Sequence, residues 1–214
     1  MVSDADRDAE AAIVDMLRAE RPDDGILGEE DASREGLSGR RWVIDPLDGT
    51  TNYLYGFPAW VVSVAVEDPD GGLAGVVFDP VRDELFAAAR GDGLLVNGEL
   101  GGVREPMVTE RALVATGFSY ESERRADQAI VVSRVLPRVR DIRRAGAAAL
   151  DLALLAAGRL DGYYERGLKP WDWAAGRLLV TEAGGTVVEL EGEPGGLVAA
   201  SNPALAEALV GLVG

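Results

Sequence analysis

Cysteine and histidine are both absent from the 214 residues. Without cysteine there is no disulfide, no zinc–thiolate centre and no thiol phosphatase chemistry. Without histidine there is no phosphohistidine intermediate and no Ser-His-Asp triad. An enzyme made from this chain must take its acid–base groups from carboxylate, lysine, tyrosine or metal-bound water. Long apolar runs are also missing, because glycine or charge interrupts every hydrophobic stretch before it could span a bilayer. The N-terminal stretch turns acidic at Asp4, whereas a secretory signal has a basic start and an apolar core. A cytoplasmic protein with no membrane partner is expected.

Basic residues are scarce relative to acidic ones, 21 against 37, for a net charge of −16. Such a surface repels a nucleic-acid backbone, so no nucleic-acid partner is expected. It would also repel a phosphate ester unless metal ions reversed the sign locally. Most of the acidity reads as ordinary solubilising charge, but the clustering of particular acids needs a separate account. Hydrophobic residues make up 47% of the chain, which argues against disorder.

No linker, repeat or low-complexity tract divides the sequence. It is expected to form one catalytic unit over 1–214, with a meander-rich half over 1–108 and an alternating α/β half over 109–214. In the first half the pattern predicts an amphipathic helix from Asp4 to Ala19, with Ile13, Val14 and Leu17 on one face and charges on the other. Short strands follow at Ile26–Leu27 and Trp42–Ile44, the second stopping at Asp45 before Pro46. Trp60–Val66 and Leu73–Phe78 read as a hairpin across Asp68–Gly72, extended by Glu84–Ala89 and Gly93–Val96. After Pro106 the pattern changes. Strands are expected at Leu113–Thr116, Val139–Ile142, Gly162–Glu165, Thr186–Leu190 and Leu197–Ala200. Helices are expected at Glu121–Leu136, Ala147–Ala157, Trp173–Ala183 and after the Asn202-Pro203 cap. The fold class is α+β, in layers.

Three acidic elements carry the candidate chemistry. In Asp45-Pro-Leu-Asp48-Gly-Thr50 two carboxylates stand at the mouth of one turn, and the Leu47 carbonyl offers a third hard oxygen. Gly49 lets the backbone approach an anion, and the N–H groups of residues 49–51 would point outward if a short helix starts there. Taken alone, this segment reads equally well as an acidic turn with Asx capping. Gly28-Glu29-Glu30-Asp31 reads more simply as a solvated loop, and Asp172, between Trp171 and Trp173, as the N-cap of the following helix. The two tryptophans fit either a water-excluding wall or core.

Together, in this order, the elements resemble the inositol monophosphatase family of magnesium-dependent, lithium-sensitive phosphatases. The matching stretches are GEED at 28–31, DPLDGTTNYLYGFP at 45–58, the helix start at Gly146–Leu150 and YYERGLKPWDWAAG at 163–176. The resemblance implies a layered αβαβα sandwich of the inositol monophosphatase and fructose-1,6-bisphosphatase type. It implies two or three Mg²⁺ per subunit. Glu29, Asp45 and the Leu47 carbonyl would hold the first ion, Asp45, Asp48 and Asp172 the second, and Glu29 with water a weaker third. Glu30 would orient these ligands from behind. Thr50 with Glu29 would position and deprotonate the attacking water, and Asp48 completes the catalytic set. The amides of Gly49 and Thr50 would hold the phosphate, while Ala148, Glu165 and Asp172 would face the substrate alcohol. The implied activity is phosphoric monoester hydrolysis of inositol monophosphate or a similar polyol or sugar phosphate, in a homodimer. The chemistry is coherent in itself. Metal ions lower the pKa of water and clamp attacking and leaving oxygens across about 3.5–4 Å, so neither His nor Cys is needed.

Two departures stand out. The sequence starts at the segment where family members already have one long helix behind them, so the usual first N-terminal helix is expected to be lacking and a partner subunit to cover the groove it leaves. Ala147 stands where Ser or Thr is common, so one polar contact is expected to be missing. Rival readings are a sister phosphatase acting on histidinol phosphate, fructose 1,6-bisphosphate or a nucleotide 3′-phosphate, and a non-catalytic relative acting by protein contact. Thr51-Asn52 followed by Gly-Phe-Pro favours the inositol branch.

Overall fold

The computed structural model describes residues 3–30, 32–105 and 107–214. Asp31 of the GEED stretch, the Pro106 break and the first two residues lie outside the described residues. Helix α1 (Asp4–Glu20) opens with a capping box: Ser3 Oγ accepts from the Asp6 N–H, and the Asp6 carboxylate accepts from the Ser3 N–H at 2.8 Å. Its buried face differs from the expected one. Asp6, Glu10, Val14 and Leu17, spaced at helical intervals, all point inward, so two acids share the buried stripe with the apolar residues.

Eight strands follow: β1 (Gly25–Gly28), β2 (Ser33–Arg34), β3 (Arg41–Asp48), β4 (Val61–Asp68), β5 (Gly71–Asp79), β6 (Glu84–Ala89), β7 (Gly93–Val96) and β8 (Glu99–Gly101), with the short helix α2 (Thr50–Leu54) after β3. They form one sheet in the order β2-β1-β3-β4-β5-β6-β7-β8, antiparallel except where β1 runs beside β3. Pro46 does not end β3 as expected. The strand resumes at Asp48 after a bulge, because Asp45 pairs with Ser63 and Asp48 with Val61, three residues against two. The two-residue β2 and the exposed β8 carry too little pattern to be seen in the sequence.

The second half alternates: β9 (Leu113–Thr116), α3 (Ser122–Val135), β10 (Asp141–Arg143), α4 (Ala148–Ala156), β11 (Gly162–Arg166), α5 (Pro170–Glu182), β12 (Thr186–Leu190), β13 (Gly196–Ala200) and α6 (Pro203–Val213), with single 3₁₀ turns at 109–111 and 136–138. Its sheet runs β10-β9-β11-β13-β12, with β9, β10 and β11 parallel. Helix α5 starts earlier than expected, at Pro170, whose missing N–H costs nothing in a first turn.

Side-chain alternation divides the strands between layers. Val43 and Tyr163 point into the space between the sheets, where they meet Leu150, Leu152 and Leu155 of α4 and Leu178 and Leu179 of α5. Their neighbours Ile44 and Tyr164 point outward, Ile44 onto Val14 and Leu17 of α1 and Tyr164 onto Leu205 and Leu209 of α6. The layers are therefore α1, first sheet, α4 with α5, second sheet, and α3 with α6. This is the αβαβα sandwich. Helix α4 lies between the two sheets with no solvent face, which is why Ala148–Ala156 reads AALDLALLA and is buried at nearly every position.

The two central helices touch at Gly176. A Cβ there would lie 2.6 Å from both Cβ and Cδ1 of Leu152. Alanine at 176 would gain about 1 kcal/mol of helix propensity and lose about 1–3 kcal/mol to overpacking. Because the facing atom is a Cβ with nowhere to move, Gly176→Ala is expected to lower the urea midpoint. An unchanged or raised midpoint would show that the helices can separate freely.

Candidate active site

The metal, catalytic and substrate-facing residues expected from the sequence line one cleft of about 540 Å³: Glu29, Glu30, Asp45, Leu47, Asp48, Gly49, Thr50, Ala148, Glu165 and Asp172. The bulge in β3 explains how Asp45 and Asp48 both face it. Their partners Ser63 and Val61 lie two apart on β4, hence on one face, and the extra residue in β3 turns out of the ladder without changing that face. Asp45 Oδ1 accepts the Leu47 N–H at 3.1 Å, which shapes the turn. Gly49 then adopts φ +97°, and a Cβ there would meet the Ala59 carbonyl oxygen at 2.9 Å. Any other residue would be strained and crowded at once. Helix α2 follows immediately.

Asp48 does a second task. Its Oδ2 accepts the Ala149 N–H at 2.6 Å. Ala147, at the N-cap of α4, has no side chain able to cap; a carboxylate from the other sheet takes the cap's place and sits at the positive end of the helix. Asp172 lies in the first turn of α5 rather than ahead of it, and its Oδ2 accepts the Lys169 N–H at 2.6 Å. Of the two tryptophans, Trp171 lines the cleft, while the Arg177 guanidinium stacks 5.3 Å from the Trp173 ring centroid.

Three buried supports were not foreseen. Thr50 Oγ1 lies 2.9 Å from Asp6 Oδ1 and 3.1 Å from the Leu47 carbonyl oxygen. Asp6 is fully buried, so α1 holds the Thr50 hydroxyl from behind. Glu10 accepts the N–H groups of Glu30 at 3.2 Å and Ala32 at 3.1 Å, fixing the loop that carries Glu29. Asn52 donates to the carbonyls of Ala59 at 2.6 Å and Ala145 at 2.9 Å, tying α2 to the approach to α4. Asp151, also unforeseen, is a buried acid of α4 whose carboxyl is pushed well up, by burial first and then by Asp48 and Glu165.

The metal-candidate carboxyls of the cleft all shift upward, although Arg124, Arg144, Arg166 and Lys169 also line it. Burial, followed by Asp172, pushes Asp48 up to about 8. Burial is the main cause that raises Glu29 to about 7, with Asp172 and Glu30 adding to it, and Asp172 to about 6. Asp45 is raised well above the usual range by burial and then by Asp48, Glu29 and Asp172. Burial raises Glu30 as well. Asp45 and Glu29 stand within hydrogen-bonding reach of each other, which two ionised carboxylates would avoid.

These acids fit hard cations by donor chemistry, since every group they offer is a hard oxygen. Among the described residues no group of three acids stands gathered as a ready-made cage. Mg²⁺ does not require one, since it keeps several waters and is held through one or two carboxylates together with substrate phosphate.

The family model for inositol monophosphatases matches residues 1–213. The chain belongs to the inositol monophosphatase family. As a class, the family acts on small phosphate esters and is metal-dependent. The inositol-1-monophosphatase of Rhizobium meliloti (strain 1021) is 45% identical, over 89% of this chain and 73% of that protein. The Nus factor SuhB of Escherichia coli (strain K12) is 42% identical, over 98% of this chain and 80% of its own length. Among solved structures of the family, the extragenic suppressor protein suhB of Bartonella henselae superposes with a TM-score of 0.93 at 41% identity, covering 99% of this chain and 85% of that one. No helix among the described residues is long and apolar enough to cross a membrane.

The raised carboxyls make stability depend on pH in a definite direction. A group whose pKa is higher folded than unfolded stabilises the fold fully below its unfolded value of about 4. That contribution is lost as pH rises through the folded values, here about 6 for Asp172, about 7 for Glu29 and about 8 for Asp48. Acids with lowered values, such as Asp24 and Asp68, have completed their change below this window. The metal-free protein is therefore expected to melt lower at about pH 8.5 than at about pH 5.5, with added Mg²⁺ recovering more at the higher pH. A melting temperature that rises across the window without metal would show that the carboxylates are satisfied by the protein itself.

Proposed function

We propose that the chain is a Mg²⁺-dependent phosphomonoesterase that hydrolyses inositol monophosphate or a similar polyol or sugar phosphate, with residues 1–214 as one catalytic unit in a homodimer. The observation that carries this reading is the single cleft lined by Glu29, Asp45, Asp48 and Asp172 together with Gly49 and Thr50, in which burial holds all four carboxyls above their usual range. Glu29, Asp45, Asp48, Asp172 and the Leu47 carbonyl would hold the ions. When bound, Mg²⁺ supplies charge neutralisation at the phosphoryl oxygens and acidifies water.

The chain's own groups divide the remaining work. The Thr50 hydroxyl, held against Asp6, orients the attacking water, and Glu29 beside it takes up the proton. The amides of Gly49 and Thr50, at the left-handed turn, receive the phosphate. Ala148 offers an apolar, close surface to the alcohol half, and Glu165 and Asp172 accept its hydroxyls. Glu30 steadies the loop through its N–H bond to Glu10.

A second reading is favoured by the name Nus factor carried by the Escherichia coli relative: action through protein contact. The retained carboxylates support catalysis instead, because a contact surface has no use for buried, mutually repelling acids.

Inorganic phosphate release from inositol 1-phosphate, fructose 1,6-bisphosphate, histidinol phosphate and a nucleotide 3′-phosphate is expected only with Mg²⁺ and is expected to stop in EDTA. Turnover persisting in chelator on any of them would end the metal reading, and absence of turnover on all would favour protein contact. Asp45→Asn is expected to lower kcat/KM by about a thousandfold and Asp172→Asn by about ten- to a hundredfold, since a ligand shared by two ions supports both. Equal losses in two folded variants would refute the shared role of Asp45.

A further inference from the structure

The cleft has a second side, formed by the end of β11 and the residue after β9. Glu165 reaches the cleft from β11, and two features around it belong to no part of the phosphate chemistry.

The first is Tyr163. It precedes Glu165 by two residues on the same strand, so both side chains stand on one face of the sheet. Tyr163 is fully buried in the central core, and its hydroxyl donates to Glu165 Oε2 at 2.6 Å. That is the only hydrogen bond its hydroxyl makes among the described residues. Burial, with the Glu165 charge next, pushes the phenol well above its usual range, so it stays a donor throughout the working pH range. Glu165 Oε1 accepts no hydrogen bond from the described residues, and it is not among their buried unpartnered oxygens. One carboxylate oxygen is thus held from behind, and the other has no hydrogen-bond partner among the described residues.

The second is Gly117, which follows β9, the parallel neighbour of β11. Its φ lies outside the left-handed region, so conformation does not call for glycine. Space does: a Cβ at 117 would lie 1.9 Å from Glu165 Oε2 and 2.4 Å from both Cδ and Oε1. The carboxylate occupies the place a side chain would take.

We infer that Tyr163 is a specificity-setting positioning residue, and Gly117 its steric counterpart, which together lock Glu165 so that Oε1 is presented to substrates carrying a hydroxyl beside the esterified carbon. The bond fixes the terminal torsion of Glu165, and the empty volume at 117 admits it. A free glutamate would spread its two oxygens over several rotamers and lose entropy on binding. The locked one loses none, and a vicinal diol phosphate gains while an aryl phosphate, with no such hydroxyl, gains nothing.

This inference rests on the proposed contact between Glu165 and the substrate alcohol, and the experiment separates the two. KM and kcat are measured at saturating Mg²⁺ on inositol 1-phosphate and on 4-nitrophenyl phosphate for the parent, Glu165→Gln, Tyr163→Phe and Gly117→Ala. Glu165→Gln reports on the contact itself and is expected to raise KM for inositol 1-phosphate about tenfold or more, and by a clearly smaller factor for the aryl phosphate. Tyr163→Phe keeps volume and burial and removes only the hydroxyl. It is expected to raise the inositol 1-phosphate KM about three- to tenfold, to leave its kcat within about twofold, and to spare the aryl phosphate. Gly117→Ala is expected to act in the same direction and more strongly. If Glu165→Gln discriminates between the substrates and Tyr163→Phe does not, the lock is refuted while the contact stands. If Glu165→Gln affects both substrates equally or neither, the contact itself fails and the lock falls with it. An equal loss on both substrates in Tyr163→Phe, accompanied by a lower melting temperature, would make the hydroxyl a core-packing feature and overturn the inference.

Discussion

Carboxylates placed together away from water repel one another and resist ionisation, and this single tension runs through the whole architecture. Asp45 and Asp48 sit on β3 of the first sheet, Asp172 on a helix from the other half of the chain, and Glu29 on the loop after β1. Among the described residues none is paired with an arginine or lysine across a salt bridge, although such pairs occur widely on the outer surface, as between Arg159 and Glu84 or Arg41 and Glu67. The interior acids are offset instead by weaker, directional donors: the Ala149 N–H for Asp48, the Lys169 N–H for Asp172 and the Leu47 N–H for Asp45. Backbone amides orient a carboxylate without neutralising it, so the site remains electrically unfinished in a way that suits a divalent cation.

Holding such a cluster requires rigid surroundings, and the layer between the sheets supplies them. Helix α4 has no outward face and α5 only a narrow one through Pro170, Arg177 and Thr181, and their contact at 176 leaves no room for a side chain without a shift. Behind the first sheet, α1 contributes two acids to the interior where an ordinary amphipathic helix would contribute only apolar residues. Asp6 and Glu10 form hydrogen bonds that stabilise particular backbone and side-chain positions in the cleft, whereas Val14 and Leu17 stabilise the helix by burial. One helix thus has two functions at opposite ends of the same stripe.

Much of this was legible in the residues. The acids of DPLD and WDW and the two glutamates of GEED stand in one cleft, and the helices and longer strands lie where their periodicity placed them, because those patterns are local. What the sequence hid was non-local or depended on geometry. Asp6 and Glu10 read as solvent-facing because acids on a helix usually are, and their partners lie 44 and 20 residues away. The capping of α4 by Asp48 spans 101 residues and leaves no trace in either segment. Pro46 was a fair signal for a strand end, overridden by a bulge that keeps pairing on both sides. The start of α5 was readable after all: Pro170 is well placed for a first helical turn, and giving it more weight than the tryptophans would have put Asp172 inside the helix.

The bulge in β3 has a consequence for how such a site could be gained or lost. A chain shorter by one residue between Asp45 and Asp48 would pair β3 with β4 without interruption and keep both acids on the same face. It would lack only the displaced residue, and with it the present placement of Leu47 and of the Gly49 turn in the lining of the cleft. The sheet is indifferent or even favourable to that deletion, while the cleft is not. The irregularity is therefore kept by chemistry against the preference of the ladder, and repair of the strand toward regularity is one of the shortest routes by which a member of this fold could become a binding protein that no longer turns over.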